Sequence, residues 1–400
     1  MKKKIFLGFI ILWITEFYSC SLFHTLNFKY GDSLIGLYLL LFTIVHHKKI
    51  NHTLFGKNII TLLITTFISF FPTIFILHQP PFTYAIRMLF FCIPLLYFWL
   101  KVNKFTKKDV LDVVLPLGFL YCSLMVIQQI TYPKILFYNP TPMDEIPEAE
   151  RNGLWRIFIS GWELGVFFCY YKIYDFFQTK KKSTLIYSLI GLLTIYLGLG
   201  RIGYLHCIIA IIIIYIKNGL NDIKTWFKFG IIGICALFVI SNINLFISKD
   251  MIEMTESNLT SDDYVRALSY DYYFNESTSN PIYLLMGHGW PVSGANNKYT
   301  KNIDYVQEEL HWWITDIGIV GQLFLFGLIN IIVMLSTLIK LIKKSIHVKY
   351  VLAYILPSLL FWIIIPIYYT TLHLFILALL MYLTDVELSN KNYQLHTKLV

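Results

Sequence analysis

Long apolar runs separated by short polar links recur along the whole chain. They fall near residues 5–23, 31–46, 58–78, 82–100, 109–131, 153–175, 183–199, 201–216, 228–248, 312–339, 350–366 and 368–385. About 20 apolar residues in a helix cross the hydrocarbon layer, so runs of this length and purity are read as membrane spans. The ten-residue alternation of an outer-membrane barrel is absent. The pattern predicts an all-α polytopic membrane protein of about twelve transmembrane helices. Residues 1–248 carry the first nine. A long polar stretch, 249–311, forms one large extracytoplasmic loop between the ninth and tenth, and 312–400 holds the last three with a cytoplasmic tail.

Composition strengthens this picture: 56% of residues are hydrophobic and only 14% charged, where soluble chains carry about 25% charged. The net charge of +9 does not imply nucleic acid, because the lysines cluster in the links between spans. There they act as topology signals and meet anionic headgroups. With the N-terminus in the cytoplasm, Lys2–Lys4, Lys48, Lys49, Lys57, Lys101, Lys104, Lys107, Lys108, Lys180–Lys182 and Lys340–Lys349 all fall in inward links. The 249–311 loop and a smaller acidic loop, "NPTPMDEIPEAERN", then face outward. The cysteines at 20, 92, 122, 169, 207 and 235 lie in or beside apolar runs without a CxxC pair, and read as small core residues. The N-terminal run lacks a small-x-small cleavage site and reads as an uncleaved first span.

The arginines part company with the lysines. The chain has five, Arg87, Arg151, Arg156, Arg201 and Arg266, and each falls on the outward side. Lysine suffices as a topology charge, whereas the planar arginine fork grips phosphate bidentately and stays charged. Arg151 and Arg156 have acids next door to pair with, and Arg87 has headgroups within snorkelling reach. Arg201, between two apolar runs with no acid nearby in sequence, is the one most strongly marked for function by the cost of charge at membrane depth.

In the outer loop, Thr260 and Asp263 make a capping-box-like start, after which Val265, Leu268 and Tyr272 share a helical face. That helix is predicted to lie along the membrane surface and carry Arg266, with Asp262 and Asp263 as alternative partners for the guanidinium. Gly287, Gly289 and Gly294 around Trp290 and Pro291 predict a tight turn that exposes backbone. His311 then stands where the tenth helix is predicted to begin, with Glu308 one turn earlier. The dipole at a helix N-terminus would keep its imidazole neutral and able to accept a proton. The alternative is an interfacial histidine within an aromatic belt with Trp312 and Trp313. No metal-ligand spacing, HExxH, GxSxG or Walker motif occurs.

These features, in this order, resemble the O-antigen ligase and O-antigen polymerase family. The resemblance rests on Gly287-His288-Gly289, on His311 before Gly318-Ile319-Val320-Gly321, on Arg201 in "GRIG", and on Arg266 before the glycine turn. It is sharpest over about 190–330. Gly200 stands where the family has serine, and Trp312 where asparagine often follows the histidine. The residue that orients His311 is therefore open, with Glu308 and Glu309 as candidates. The resemblance implies a metal-independent, inverting glycosyltransferase at the outer face of a bacterial inner membrane, needing no cofactor. Its donor would be an oligosaccharide on a polyprenyl diphosphate and its acceptor a glycan hydroxyl. Arg201 and Arg266, with Arg87 and Arg156, would bind the diphosphate, Gly287 and Gly289 would support the site, and His311 would take the acceptor's proton. A chain-length regulator is a further expected partner.

Within this reading, a polymerase is favoured over a ligase that transfers glycan to a lipid core, because the outer loop is small. A lipid-linked glycan flippase is the rival of a different class. It would be expected to carry charges deep in several helices.

Overall fold

A computed structural model describes residues 2–15, 31–50, 53–132, 134, 136, 150–151, 154–155, 159, 161–198, 201–216, 265–292, 296–364, 367–368 and 370–398, with backbone alone at 150–155, 201 and 391–398. The fold is helical. In chain order the helices are α1 (Lys2–Ile14), α2 (Gly31–Val45), α3 (Gly56–Ile68), α4 (Phe70–Phe75), α5 (Pro81–Met88), α6 (Leu96–Val102), α7 (Lys107–Thr131), α8 (Trp162–Thr179), α9 (Lys182–Leu197) and α10 (Arg201–Tyr215). After the outer loop begins come α11 (Val265–Thr278), α12 (Pro281–Met286), α13 (Lys298–Glu308), α14 (Gly318–Ser345), α15 (Lys349–Leu360) and α16 (Thr371–Lys398). The acidic loop adds an antiparallel pairing, with Glu150 opposite Trp155 and Arg151 opposite Leu154.

Among the described residues, five stretches are long and apolar enough to cross a membrane: Gly56–Phe75, Pro81–Val102, Lys107–Thr131, Gly318–Ser345 and Thr371–Asn390. Gly31–Val45, Lys182–Leu197, Ile202–Tyr215 and Lys349–Leu360 are apolar but shorter. The 228–248 run, and the Thr260–Asp263 start of the loop helix, lie outside the described residues. Local chemistry sets several ends. At α7, the Thr106 hydroxyl accepts from the Asp109 N–H at 3.1 Å, and the Asp109 carboxylate accepts from the Thr106 N–H at 3.0 Å, a complete capping box. Buried hydroxyls along the helices bond carbonyls one turn back, as Thr43 does to Leu39 at 2.7 Å and Thr66 to Leu62 at 2.9 Å.

Two predicted spans are interrupted. Between α5 and α6 the chain tightens into a 3-10 helix, Leu89–Leu95, at Pro94. In α14, Gly327 is non-helical, with φ 75° and ψ 173°. The tenth helix also starts six residues later than the apolar run, at Gly318, after a 3-10 turn at Ile314–Asp316.

Residues 89–102 and the first half of α16 form the centre. Phe91, Ile93, Leu96, Tyr97 and Phe98, with Leu374–Leu383, are almost completely enclosed. A run that is apolar on every side belongs in such a position, since no face needs solvent. A polar chain threads this interior. Trp362 Nε1 donates to Gln322 Oε1 (3.1 Å), and Gln322 Nε2 to Asn330 Oδ1 (2.9 Å). Asn330 Nδ2 then donates to the hydroxyls of Thr65 and Thr66, each at 3.1 Å. Gln322 and Asn330 stand on either side of the Gly327 break, so the network ties both halves of α14 to α3.

The two ends of the bundle differ chemically. At one, Lys4 meets Asp109 (3.0 Å) and Asp112 (2.8 Å), Lys101 meets Asp385 (2.9 Å), Lys107 pairs with Glu387, and Lys340 donates to the Leu54 carbonyl (2.7 Å). At the other, Asp32 accepts from Thr371 (2.5 Å), and the Ser33 hydroxyl donates to the Arg87 carbonyl (3.3 Å).

Candidate functional site

At the second end helices α11 and α12 dock on α14, and glycine makes the docking possible. Gly287 and Gly327 both have positive φ, and a Cβ on either would come within 2.4 Å of the other segment's backbone: Leu325 O for Gly287, Leu285 O for Gly327. The break at Gly327 displaces the helical partners of the Phe324 and Leu325 carbonyls. Those carbonyls instead accept from the N–H groups of His288 (2.7 Å) and Gly289 (2.8 Å). The Gly287 N–H bonds Tyr283 O at 2.8 Å, the Trp290 N–H bonds the Tyr84 hydroxyl at 3.2 Å, and Thr73 and Tyr299 donate to the carbonyls of His288 and Gly289. The turn was expected to expose backbone. Its amides are instead taken up inside the protein, those of His288 and Gly289 by the break in α14, so Gly287 and Gly289 serve the packing of the turn.

His288 is enclosed by this arrangement. Its ring stacks on Tyr283 and Phe324, with centroids 4.0 and 4.3 Å away. Its Nδ1 has no hydrogen-bond partner among the described residues. Burial pushes its pKa down to about 4, and it is neutral at physiological pH.

The loop helix α11 does not lie free along a surface. Its buried face is Ser269, Tyr273 and Ser277, one residue round from the predicted one. Tyr273 packs edge-on against Phe324 at 4.9 Å and donates to the Trp312 carbonyl at 2.9 Å. A large ring with a hydroxyl handle finds both an apolar wall and an acceptor on α14 and its approach, and this decides the rotation. Arg266 lies on the same helix, seven residues before Tyr273 and four before Tyr270, whose hydroxyl bonds the Ile363 carbonyl. These positions share one side of α11. Arg266 is half-buried and forms no ion pair among the described residues, while Asp262 and Asp263 lie outside them.

His311 is not a helix-opening residue. It follows α13, sits at φ 57°, and is exposed. The chain folds back there: the Leu310 N–H reaches Tyr305 O at 3.4 Å and the Trp312 N–H reaches Val306 O at 3.0 Å. Such a reversal requires a left-handed residue, and histidine tolerates that conformation better than most. The N-terminal helix dipole expected to keep it neutral belongs to Gly318, not to His311. Glu308 and Glu309 are exposed, and neither bonds His311. Its backbone is held firmly while its ring is free.

Arg87 closes α5, half-buried beside the start of α2, with no ion pair among the described residues. Arg201 opens α10. The contacts of Lys349 with Ile216 O and of His206 Nε2 with Ser358 Oγ (3.1 Å) show α10 and α15 running antiparallel. They set Arg201 level with the chain beyond Ser358, where Ile363 meets Tyr270. Arg87, Arg201 and Arg266 therefore fall at the end opposite the ion-paired Lys4, Lys101 and Lys107, an end that Lys298 and Lys301 of α13 share. Arg156 lies outside the described residues, and Arg151 is in the loop pairing.

Sequence reasoning missed a second cluster at this end. A cavity of about 140 Å³ opens between α8, α10, α15 and α16, lined among others by Trp162, Glu163, Gly203, His206, Ser358 and His373. Glu163 Oε1 and His373 Nε2 are 3.4 Å apart, and His373 Nδ1 is 2.8 Å from the Thr370 hydroxyl. His206 is fixed by Tyr170 at 2.6 Å through Nδ1 and by Ser358 through Nε2. The available signal was Glu163 itself, an acid inside an apolar run. Its partner 210 positions later in the chain was not legible. Among the described residues no group of His, Cys, Asp or Glu is placed to hold a metal. Neither a known protein-family profile nor any curated protein matches the chain.

Proposed function

We propose that this chain is a polysaccharide polymerase of the O-antigen or capsule type. It transfers glycan from a polyprenyl-diphosphate carrier to an acceptor sugar hydroxyl, with inversion, at the outer face of a bacterial cytoplasmic membrane. The observation that carries the reading is the separation of charge types. Lys4, Lys101 and Lys107 are ion-paired at one end of the bundle, and the positions of Arg87, Arg201 and Arg266 fall at the other. A diphosphate leaving group develops charge as its bond to the anomeric carbon breaks, and pre-placed guanidinium forks stabilise that charge. Apolar helix surfaces at this end suit the polyprenyl tail. His311, by resemblance, is the first candidate for the side chain that takes the acceptor's proton.

Purified protein in lipid nanodiscs, given lipid-linked repeat unit, is expected to produce a ladder of chain lengths. A single transfer to a lipid core would mark a ligase, and no transfer at all would remove the enzymatic reading. Arg266→Ala is expected to lower the rate about 10²–10³-fold, the usual cost of losing one transition-state charge partner. Arg266→Lys should restore only part of it, because a point charge cannot bind bidentately.

A further inference from the structure

Resting on that reading, we propose that the α8–α10–α15–α16 cavity is where the acceptor hydroxyl is activated, with Glu163 as the proton acceptor and His373 as the residue that positions it. Four observations converge.

The first is size. About 140 Å³ is close to the ~150 Å³ of an engineered cavity that admits benzene, so the cavity takes the reacting edge of one sugar ring, with the rest of the glycan outside.

The second is lining. Its walls are mostly apolar, and among them stand a carboxylate, two imidazoles and a serine hydroxyl beside the ring of Trp162. Stacking on an aromatic face together with convergent polar groups is the usual composition of a small-molecule site.

The third is preorganisation. His373 Nδ1 is held by the Thr370 hydroxyl, and its Nε2 stands 3.4 Å from Glu163 Oε1. The anchored ring therefore borders one side of the carboxylate. His311, by contrast, has no orienting partner among the described residues. General-base catalysis requires hydrogen-bond reach to the proton before it requires a suitable pKa.

The fourth is placement. Gly203 lines the cavity, and two residues of helix carry the chain only ~3 Å along its axis to Arg201. An acceptor oxygen must approach the anomeric carbon, one bond from the diphosphate, so its base belongs near the diphosphate-binding end of α10. The wall there is open, since a Cβ on Gly203 would meet nothing within 4 Å.

The step balances as follows. The acceptor O–H proton passes to the Glu163 carboxylate as the oxygen's electron pair forms the new bond to the anomeric carbon. The bond from that carbon to the diphosphate oxygen breaks with its electrons. The lipid diphosphate leaves as the anion, against the arginines. Glu163 returns its proton to water between turnovers. The titratable groups facing Glu163 across the cavity are His373 on α16 and His206 on α10, with the hydroxyls of Tyr170 and Tyr354 behind.

The test uses the full chain in nanodiscs with lipid-diphosphate-linked repeat unit. Glu163→Gln keeps the shape and removes the base. It is expected to lower kcat at least 100-fold with the KM for donor held within about threefold. His373→Ala, which removes the side chain bordering the carboxylate, should lower kcat with the KM for donor unchanged. His373→Gln, which keeps a polar group at that position, should restore part of the loss. If wild type makes a ladder and Glu163→Gln makes it at the same rate, this assignment is wrong and the polymerase reading stands. If His311→Ala alone abolishes turnover, the proton acceptor is His311 and the cavity proposal falls. If wild type makes no ladder, the polymerase reading fails and takes this inference with it. A Glu163→Gln chain that elutes and melts like wild type excludes misfolding as the cause of a loss, and Glu163→Asp, shorter by one methylene, should be intermediate.

Discussion

At the scale of single residues, the two histidines of the outer segment have exchanged the roles their sequence context suggests. His288, inside a glycine turn, is enclosed and stacked, whereas His311, at the edge of an apolar run, is exposed. His288 has a consequence that can be measured. Its folded-state pKa is about 4 against 6.5 for the free side chain, because burial disfavours the cation. Between those values the unfolded chain binds more protons than the folded one, so stability rises with pH across the window. The contribution is fully present above about pH 6.5 and is lost as pH falls toward about 4. His288→Phe keeps the stack with Tyr283 and Phe324, removes the unpartnered Nδ1, and should change stability at neutral pH by no more than about 1 kcal/mol. Its thermal midpoint in detergent should lose the wild type's acid dependence over that window. A variant as acid-sensitive as wild type would place the titrating group elsewhere.

At the scale of elements, the informative feature is a helix that stops being one. The break at Gly327 is matched by Gly287, and each glycine accommodates the other segment's backbone. Gly327→Ala would place a Cβ 2.3 Å from Leu285 O at φ 75°. The combined backbone strain and overpacking should destabilise the protein by about 2–4 kcal/mol. The same substitution should loosen α12 from α14, visible as faster hydrogen exchange at the His288 and Gly289 amides. Unchanged exchange would mean the turn does not depend on the break. The apolar period was legible along α14, but the break was not. Gly327 in "LFLFGLIN" looks like any glycine in a span, and only the approach of Gly287 from 40 residues earlier shows what it accommodates.

At the scale of the molecule, the two ends differ: ion-paired Lys4 and Lys101 stand at one, and Arg87, Arg201, Arg266, helices α11–α13 and the cavity at the other. If the arginine end faces outward, Asn302→Cys should react with a membrane-impermeant maleimide on intact cells. Lys104→Cys should react only after permeabilisation. Both positions are exposed, and Cys92, Cys122, Cys169 and Cys207 are buried; Cys20 and Cys235, outside the described residues, are replaced by serine in the parent chain so that background labelling stays small. Inverted labelling would put the arginines on the cytoplasmic side and remove the donor-binding reading.

The sequence alone determined the helical class, the places of most helices, and the separation of lysine from arginine. These depend on the local run of apolar residues and on which links carry charge, and both are written consecutively along the chain. Tertiary structure decided three things that depend on distant partners. It rotated α11 to give Tyr273 a wall and an acceptor on the α14 segment, and it set His311 in a reversal after α13 rather than at the head of a helix. It also brought Glu163 to His373 across 210 residues. A side chain's partner across a bundle is fixed by how helices pack, which depends on the shapes of all the faces together. The chemistry of the cavity was therefore invisible in the sequence even though every residue that lines it was in plain view.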